Sequence, residues 1–124
     1  MQKINENGYK VTFSGTSADE LFTGYYDHFL LHLFTISENQ EYKKALNDWK
    51  KYIYQHIRNP VLKDPYLYNK NKDFRDHIYD GNEEIKNFFY TQSEEIFTEI
   101  KYTDDLLRNR MLNELRTEAT PIIL

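Results

Sequence analysis

Cysteine is absent from the 124 residues, so disulfides, thiolate zinc sites and a cysteine nucleophile are all excluded. A basic stripe is absent too: 16 Lys and Arg lie scattered among 20 Asp and Glu, for a net charge of −4. A nucleic-acid footprint needs a basic face, so no nucleic-acid partner is expected. Long apolar runs are also missing. The opening M-Q-K-I-N-E-N-G has none of the apolar core of a signal peptide. The most apolar stretch, Phe22 to Phe34, carries Tyr25, Tyr26, Asp27, His28 and His32 and is too short to span a bilayer. A cytoplasmic protein with no membrane partner is the resulting expectation. No internal repeat or low-complexity tract is present.

What is there is a sequence with 16% aromatic and 29% charged residues, long enough for one domain around a single core. Residues 1–7 read as the tail of a helix anchored by Ile4, stopped by Gly8 in the left-handed conformation that costs glycine little. Tyr9 to Phe13 is the one convincing strand, and a lone strand needs partners for its backbone and cover for its faces. From Ala18 onward, Ala18, Leu21, Phe22, Tyr25, Phe29, Leu33 and Ile36 fall on one helical stripe. Ser17 and Glu20 form an S-x-x-E capping box at its start, and Ser37 and Gln40 a second box before the next helix. That helix sets Tyr42, Ala45, Leu46, Trp49, Ile53 and Ile57 on one face and leaves Lys43, Lys44, Lys50 and Lys51 to solvent. Asn59-Pro60 ends it.

Residues 59–82 read as an irregular connection, and 83–120 as two further helices. Ile85, Phe88, Phe89, Ile96 and Ile100 line the first. Thr103, Asp104 and Asp105 cap and charge the start of the second, whose inner face is Leu107, Met111, Leu115 and Ala119. With strand, turn and helix over 9–36 and a helix over 37–58, the fold class expected is mainly α with one short strand. An orphan strand near one end and the apolar Ile122, Ile123 and Leu124 at the other fit a truncated domain better than a complete one.

The chemistry is concentrated between Lys10 and His28. A strand, the small-residue turn Ser14 to Ser17 and a helix start bring backbone N–H groups and a helix N-terminus to one point, where phosphates are stabilised. Asp19 and Glu20 in the first helical turn can hold a cation there, so phosphate plus Mg²⁺ is the expected ligand pair. The blander readings are explicit. A first-turn acid is worth about 0.3–1 kcal/mol through the helix dipole alone, and Glu20 is accounted for by the capping box. Gly24 permits close backbone approach, though an exposed helical glycine looks the same in sequence. His28 and His32 have a zinc-like H-x-x-x-H spacing, but Phe29 replaces the glutamate of a metalloprotease helix and no third ligand is evident. That pair reads as a half-buried helix flank.

The segment S-G-T-S-A-D-E-L-F-T-G-Y resembles the synthetase domain of glutamine-dependent asparagine synthetases, whose usual pattern is SG-x-G-x-DE-x-F-x-G-Y. Ser14, Gly15, Asp19, Glu20, Phe22, Gly24 and Tyr25 match it without a gap. The closing R-N-R-M-L-N-E-L-R-T-E-A-T-P-I-I-L is similar to the family helix that runs into a Pro-x-x-Leu element, while residues 37–100 are similar only as helix and loop. The resemblance implies a fragment of an α/β adenine-nucleotide α-hydrolase-like (ATP-pyrophosphatase) synthetase domain. It implies an enzyme that activates a small carboxylate substrate with ATP and Mg²⁺ as an acyl-adenylate, which ammonia from glutamine then attacks. By the same resemblance Ser14, Gly15 and Thr16 lie against the nucleotide, and Asp19 binds Mg²⁺ on the pyrophosphate.

Thr16 stands where asparagine synthetases carry an acid–base glutamate. A hydroxyl cannot replace a carboxylate in proton transfer near neutral pH, so the departure favours amidation of another carboxylate, such as a carboxylated sugar or a peptide. The S-G-G-x-D-S loop and the glutaminase domain with its N-terminal cysteine are not among these residues. The expected partners are therefore the remainder of the synthetase and a glutaminase domain, in cis or in trans, with the isolated fragment inactive. The alternatives are a small helical interaction protein, or a split subunit completed by a chain carrying S-G-G-x-D-S.

Overall fold

Helix α1 (Gln2–Glu6) is closed by the expected glycine. Gly8 adopts φ 79°; its N–H donates to the Asn5 carbonyl (2.9 Å) and the Tyr9 N–H to the Ile4 carbonyl (3.2 Å). This is the Schellman pair of bonds that satisfies carbonyls at a helix end. The computed structural model describes residues 2–11, 13, 15–79, 88, 98–119 and 121. Among them there is no strand: of the segment expected as Tyr9–Phe13, Tyr9, Lys10, Val11 and Phe13 run as coil, and Thr12 lies outside the described residues. The reason is the absence of a ladder, since a strand exists only by pairing. Tyr9 and Val11 are exposed and Phe13 is 99% exposed.

The single helix expected from Ala18 to Ile36 is two helices, α2 (Ala18–Phe22) and α3 (Tyr26–Thr35). Thr23 turns left-handed at φ 62°, and the Gly24 N–H reaches back to the Asp19 carbonyl at 3.1 Å. For a non-glycine residue that conformation costs roughly 1–2 kcal/mol. The break turns Leu21 and Phe22 to solvent, while Leu30, Leu31 and Leu33 of α3 are buried. The Ser17–Glu20 capping box does not form either. A cap needs β-region backbone, whereas Ser17 sits at φ 70° without a capping bond.

Helix α4 (Tyr42–Tyr52) starts after Glu41, so the Ser37–Gln40 box is also unformed; turns link Phe34 to Ser37 and Ile36 to Asn39 instead. Its apolar face is as the spacing predicts. Trp49 and the following Ile57 are buried, Tyr42, Ala45, Leu46 and Ile53 pack against them, and the four lysines are exposed.

The connection after Pro60 is packed rather than loose. It contains 3₁₀ turns at Val61–Lys63 and Asp76–Tyr79 and the one-turn α5 (Leu67–Lys70). Asn59, Asp64 and Asn71 each accept a backbone N–H two residues on, at 2.9, 3.0 and 3.1 Å. Such Asx turns replace helix or sheet bonds locally. They deliver Leu62, Leu67 and Tyr68 to the core.

The helix expected over Ile85–Ile100 falls outside the described residues except for Phe88 and residues 98–100, and the end at residues 122–124 lies outside them too. The last described helix, α6 (Leu106–Arg116), is capped by the Asp105 side chain, which accepts the Arg108 N–H at 2.8 Å. Its buried residues are Asn109, Arg110, Asn113 and Glu114, while Leu107, Met111 and Leu115 are only half-buried. The apolar inner face read from sequence is thus corrected to a polar one.

Helix α3 is the hub, packed against α4, α5, α6 and the turn at 61–63. Leu31→Ala is expected to lower the unfolding free energy by about 2–5 kcal/mol in a denaturant titration, the range for a buried leucine. Phe13→Ala, made on an exposed side chain, is expected to change it by less than about 0.5 kcal/mol. Equal effects would contradict this placement of the core.

Candidate functional site

The turn singled out in sequence is a compact reversal. The Ala18 N–H donates to the Gly15 carbonyl at 3.2 Å, Gly15 is exposed and Thr16 is half-buried. Ser14 lies outside the described residues. The helix that follows has five residues, so the dipole at its start is that of a single turn. Asp19 and Glu20 then part company. Asp19 is exposed, and its carboxylate lies against the Gly24 backbone: a Cβ at Gly24 would come 1.6 Å from Asp19 Oδ1. Gly24 is therefore required for close approach. Glu20 is buried and accepts the Tyr25 hydroxyl at 2.8 Å.

Behind this turn lies a buried polar centre. Asp27 and His28 of α3 face Glu114 of α6, with exposures of 4%, 0% and 7%. His28 Nε2 is 2.8 Å from Glu114 Oε2, and His77 Nε2 is 3.4 Å from Asp27 Oδ2. The three residues of the centre offer ligand atoms within 4.8 Å of one another. Burial pushes the Asp27 carboxyl up, but the hydrogen bond from His77 and the charges of His28, His77 and Arg110 outweigh it, leaving its pKa below the ordinary value. For Glu114 burial wins over His28 and Arg110, and its pKa is raised. Burial, the bond to Glu20 and the surrounding carboxylates also hold the Tyr25 phenol well above its ordinary pKa. The Tyr25 ring meets the His28 imidazole edge-on at 5.2 Å, so the outward turn and the buried centre touch through one side chain.

The family model for asparagine synthase matches residues 1–116, which include the turn, the break at Thr23 and the whole of α6. The chain belongs to the asparagine synthase family. No curated protein and no solved structure matches it. Family membership makes an ATP-dependent ligase the frame for the Asp19 turn, and the mainly helical chain fits part of the synthetase domain.

Within this asparagine synthase-family chain, α6 also organises the segment before it. Asn113 accepts the Ile100 N–H and donates to the Ile100 carbonyl, both at 2.9 Å. Asn109 accepts the N–H groups of Tyr102 and Thr103 at 2.8 and 3.3 Å and donates to Glu99. Glu99 in turn pairs with Arg75 and Arg110, and Arg75 with Glu118 at 2.8 Å. Sequence reading missed all of this. The available signal was the pair of asparagines four apart inside a helix, where their side chains compete with the backbone and are unfavourable unless they bond elsewhere. The zinc-spaced histidines do not converge: His28 is fully buried while His32 is exposed.

Gly24→Ala follows from this geometry. A methyl there would meet Asp19 Oδ1, Cγ and Cβ at 1.6, 2.4 and 2.9 Å, so the whole Asp19 side chain must move and the unfolding free energy should fall by about 1–3 kcal/mol. The side-chain carbon resonance of Asp19 should also move while that of Asp27 does not. An unchanged Asp19 resonance would show that the close contact is not populated.

Proposed function

We propose that this asparagine synthase-family chain is part of a glutamine-dependent amidotransferase that adenylates a small carboxylate with MgATP and then transfers ammonia to it. The observation that carries the reading is the family match over residues 1–116, a span that includes the turn bearing Asp19. Ser14, Gly15 and Thr16 would line the nucleotide, and Asp19 would hold Mg²⁺. The residues fit that role because the carboxylate is exposed and backed by the bare Gly24 backbone. One carboxylate binds Mg²⁺ only together with phosphate oxygens or another acid, so the ion would arrive with the nucleotide. Mg²⁺ supplies charge neutralisation of the departing pyrophosphate. Thr16 can orient a group through its hydroxyl but cannot take its proton at neutral pH, which favours an acceptor other than aspartate, such as a carboxylated sugar or a peptide.

The other wall of the site has to come from elsewhere. Neither an S-G-G-x-D-S loop nor a cysteine is among the 124 residues, so the rest of the synthetase and a glutaminase domain would join them, in cis or in trans. The alternating run of Tyr9, Val11 and Phe13 supports this, since all three large apolar side chains are exposed and available to a partner surface. Consumption of ATP favours a cytoplasmic location. The same run favours, as a second reading, a small helical interaction protein or split subunit derived from the family.

The test is AMP release. The 124-residue chain alone should release none with glutamine or ammonia, whereas mixing it with a chain carrying S-G-G-x-D-S should give carboxylate-dependent AMP. Asp19→Asn should lower that rate by at least about a hundredfold, the order expected for loss of a group stabilising transition-state charge. Turnover by the chain alone would overturn the divided site, and full activity of Asp19→Asn would overturn the metal role.

A further inference from the structure

We propose that Asp27, His28 and Glu114 form a divalent transition-metal site in the buried centre between α3 and α6, with Zn²⁺ the ion that the donor set suits. This is separate from the Mg²⁺ role of Asp19 and does not depend on it. The ligand atoms lie within 4.8 Å of one another, and His28 Nε2 and Glu114 Oε2 are 2.8 Å apart. Ligands about 2.0–2.1 Å from a tetrahedral ion stand roughly 3.3 Å from each other, so the His28–Glu114 pair would open slightly and the wider separations close as the ion is taken up.

Charge balance points the same way. Arg75 and Arg110 are engaged by Glu99 and Glu118. Asp27 and Glu114 then have His28 and His77 as their direct charge partners, and the buried Glu20 adds a third acid through Tyr25. Buried carboxylates need counter-charge. A divalent cation at the centre would add to the counter-charge that Arg110 lends both carboxylates.

The centre also has unmet polar atoms. His28 Nδ1 and the Tyr68 hydroxyl are buried without a hydrogen-bond partner, and Tyr68 lies close enough to feel the charge of Asp27. Three protein ligands leave a tetrahedral ion one position for water, and such a water would give the Tyr68 hydroxyl a partner. One imidazole nitrogen with two carboxylate oxygens suits Zn²⁺ or Mn²⁺. Ca²⁺ and Mg²⁺ favour oxygen shells, and Mg²⁺ keeps several waters that a buried site excludes.

The test titrates metal-free protein with ZnCl₂ by calorimetry, followed by X-ray absorption of the Co²⁺-loaded chain. One equivalent of Zn²⁺ should bind, with affinity at least a hundredfold lower in His28→Gln and Glu114→Gln and unchanged in His32→Gln. No stoichiometric binding would overturn the proposal, as would binding that survives His28→Gln but is lost in His32→Gln. Should the buried variants fail to fold, the wild-type Co²⁺ shell decides. A single imidazole nitrogen among oxygens supports the site, and an all-oxygen or multi-imidazole shell refutes it.

Discussion

His28 and Glu114 are 86 positions apart in the chain and 2.8 Å apart in space, both out of water. That contact fixes how α3 and α6 meet. Burying either group alone is costly, because an ion loses several kcal/mol of solvation and regains it only with a partner in good geometry. Removing one member of such a pair typically costs about 3–5 kcal/mol. A slip of α6 by one residue would break the His28 contact and the Asn113 and Asn109 bonds to residues 99–103 together. An apolar interface would tolerate that slip at small cost. Here the polar groups specify the register, and the leucines of α3 are left to supply the bulk of the burial.

The parts of the fold legible in the sequence are those governed by short-range rules. Gly8 ends α1 because glycine alone enters the left-handed region cheaply, and the Trp49–Ile57 face follows from a period of 3.6 residues. The parts that were not legible depend on distant partners. Thr23 has no intrinsic preference for φ 62°; it goes there because α2 and α3 have different surfaces to meet. His28 reads in sequence as a half-buried helix flank, and its full burial follows only once Glu114 is brought to it, as Asp27's does with His77. The polar burial of α6 reverses the amphipathic assumption for the same reason. At the site, the family turn and its exposed Asp19 were readable from the residues themselves, whereas the fate of Glu20 was not. An acid three residues after a serine looks like a capping box, and only the left-handed backbone of Ser17 rules that out.

The adjacent acids Asp19 and Glu20 show how the two regions are joined. In a continuous helix they would sit about 100° apart on a face shared with the residues after them. The break at Thr23 and Gly24 ends α2 after five residues, so that Asp19 stays at the surface over a glycine and Glu20 turns inward to Tyr25. Tyr25 rests on His28, and His28 on Glu114. The exposed carboxylate is thus held on a one-turn helix that would have little stability alone, but whose next residue is tied through Tyr25 into the buried His28–Glu114 contact. An exposed carboxylate on so short an element gains its fixed position from that tie. The strained backbone at Thr23 is therefore better understood as the means of dividing two neighbouring acids between surface and core than as a local defect of the helix.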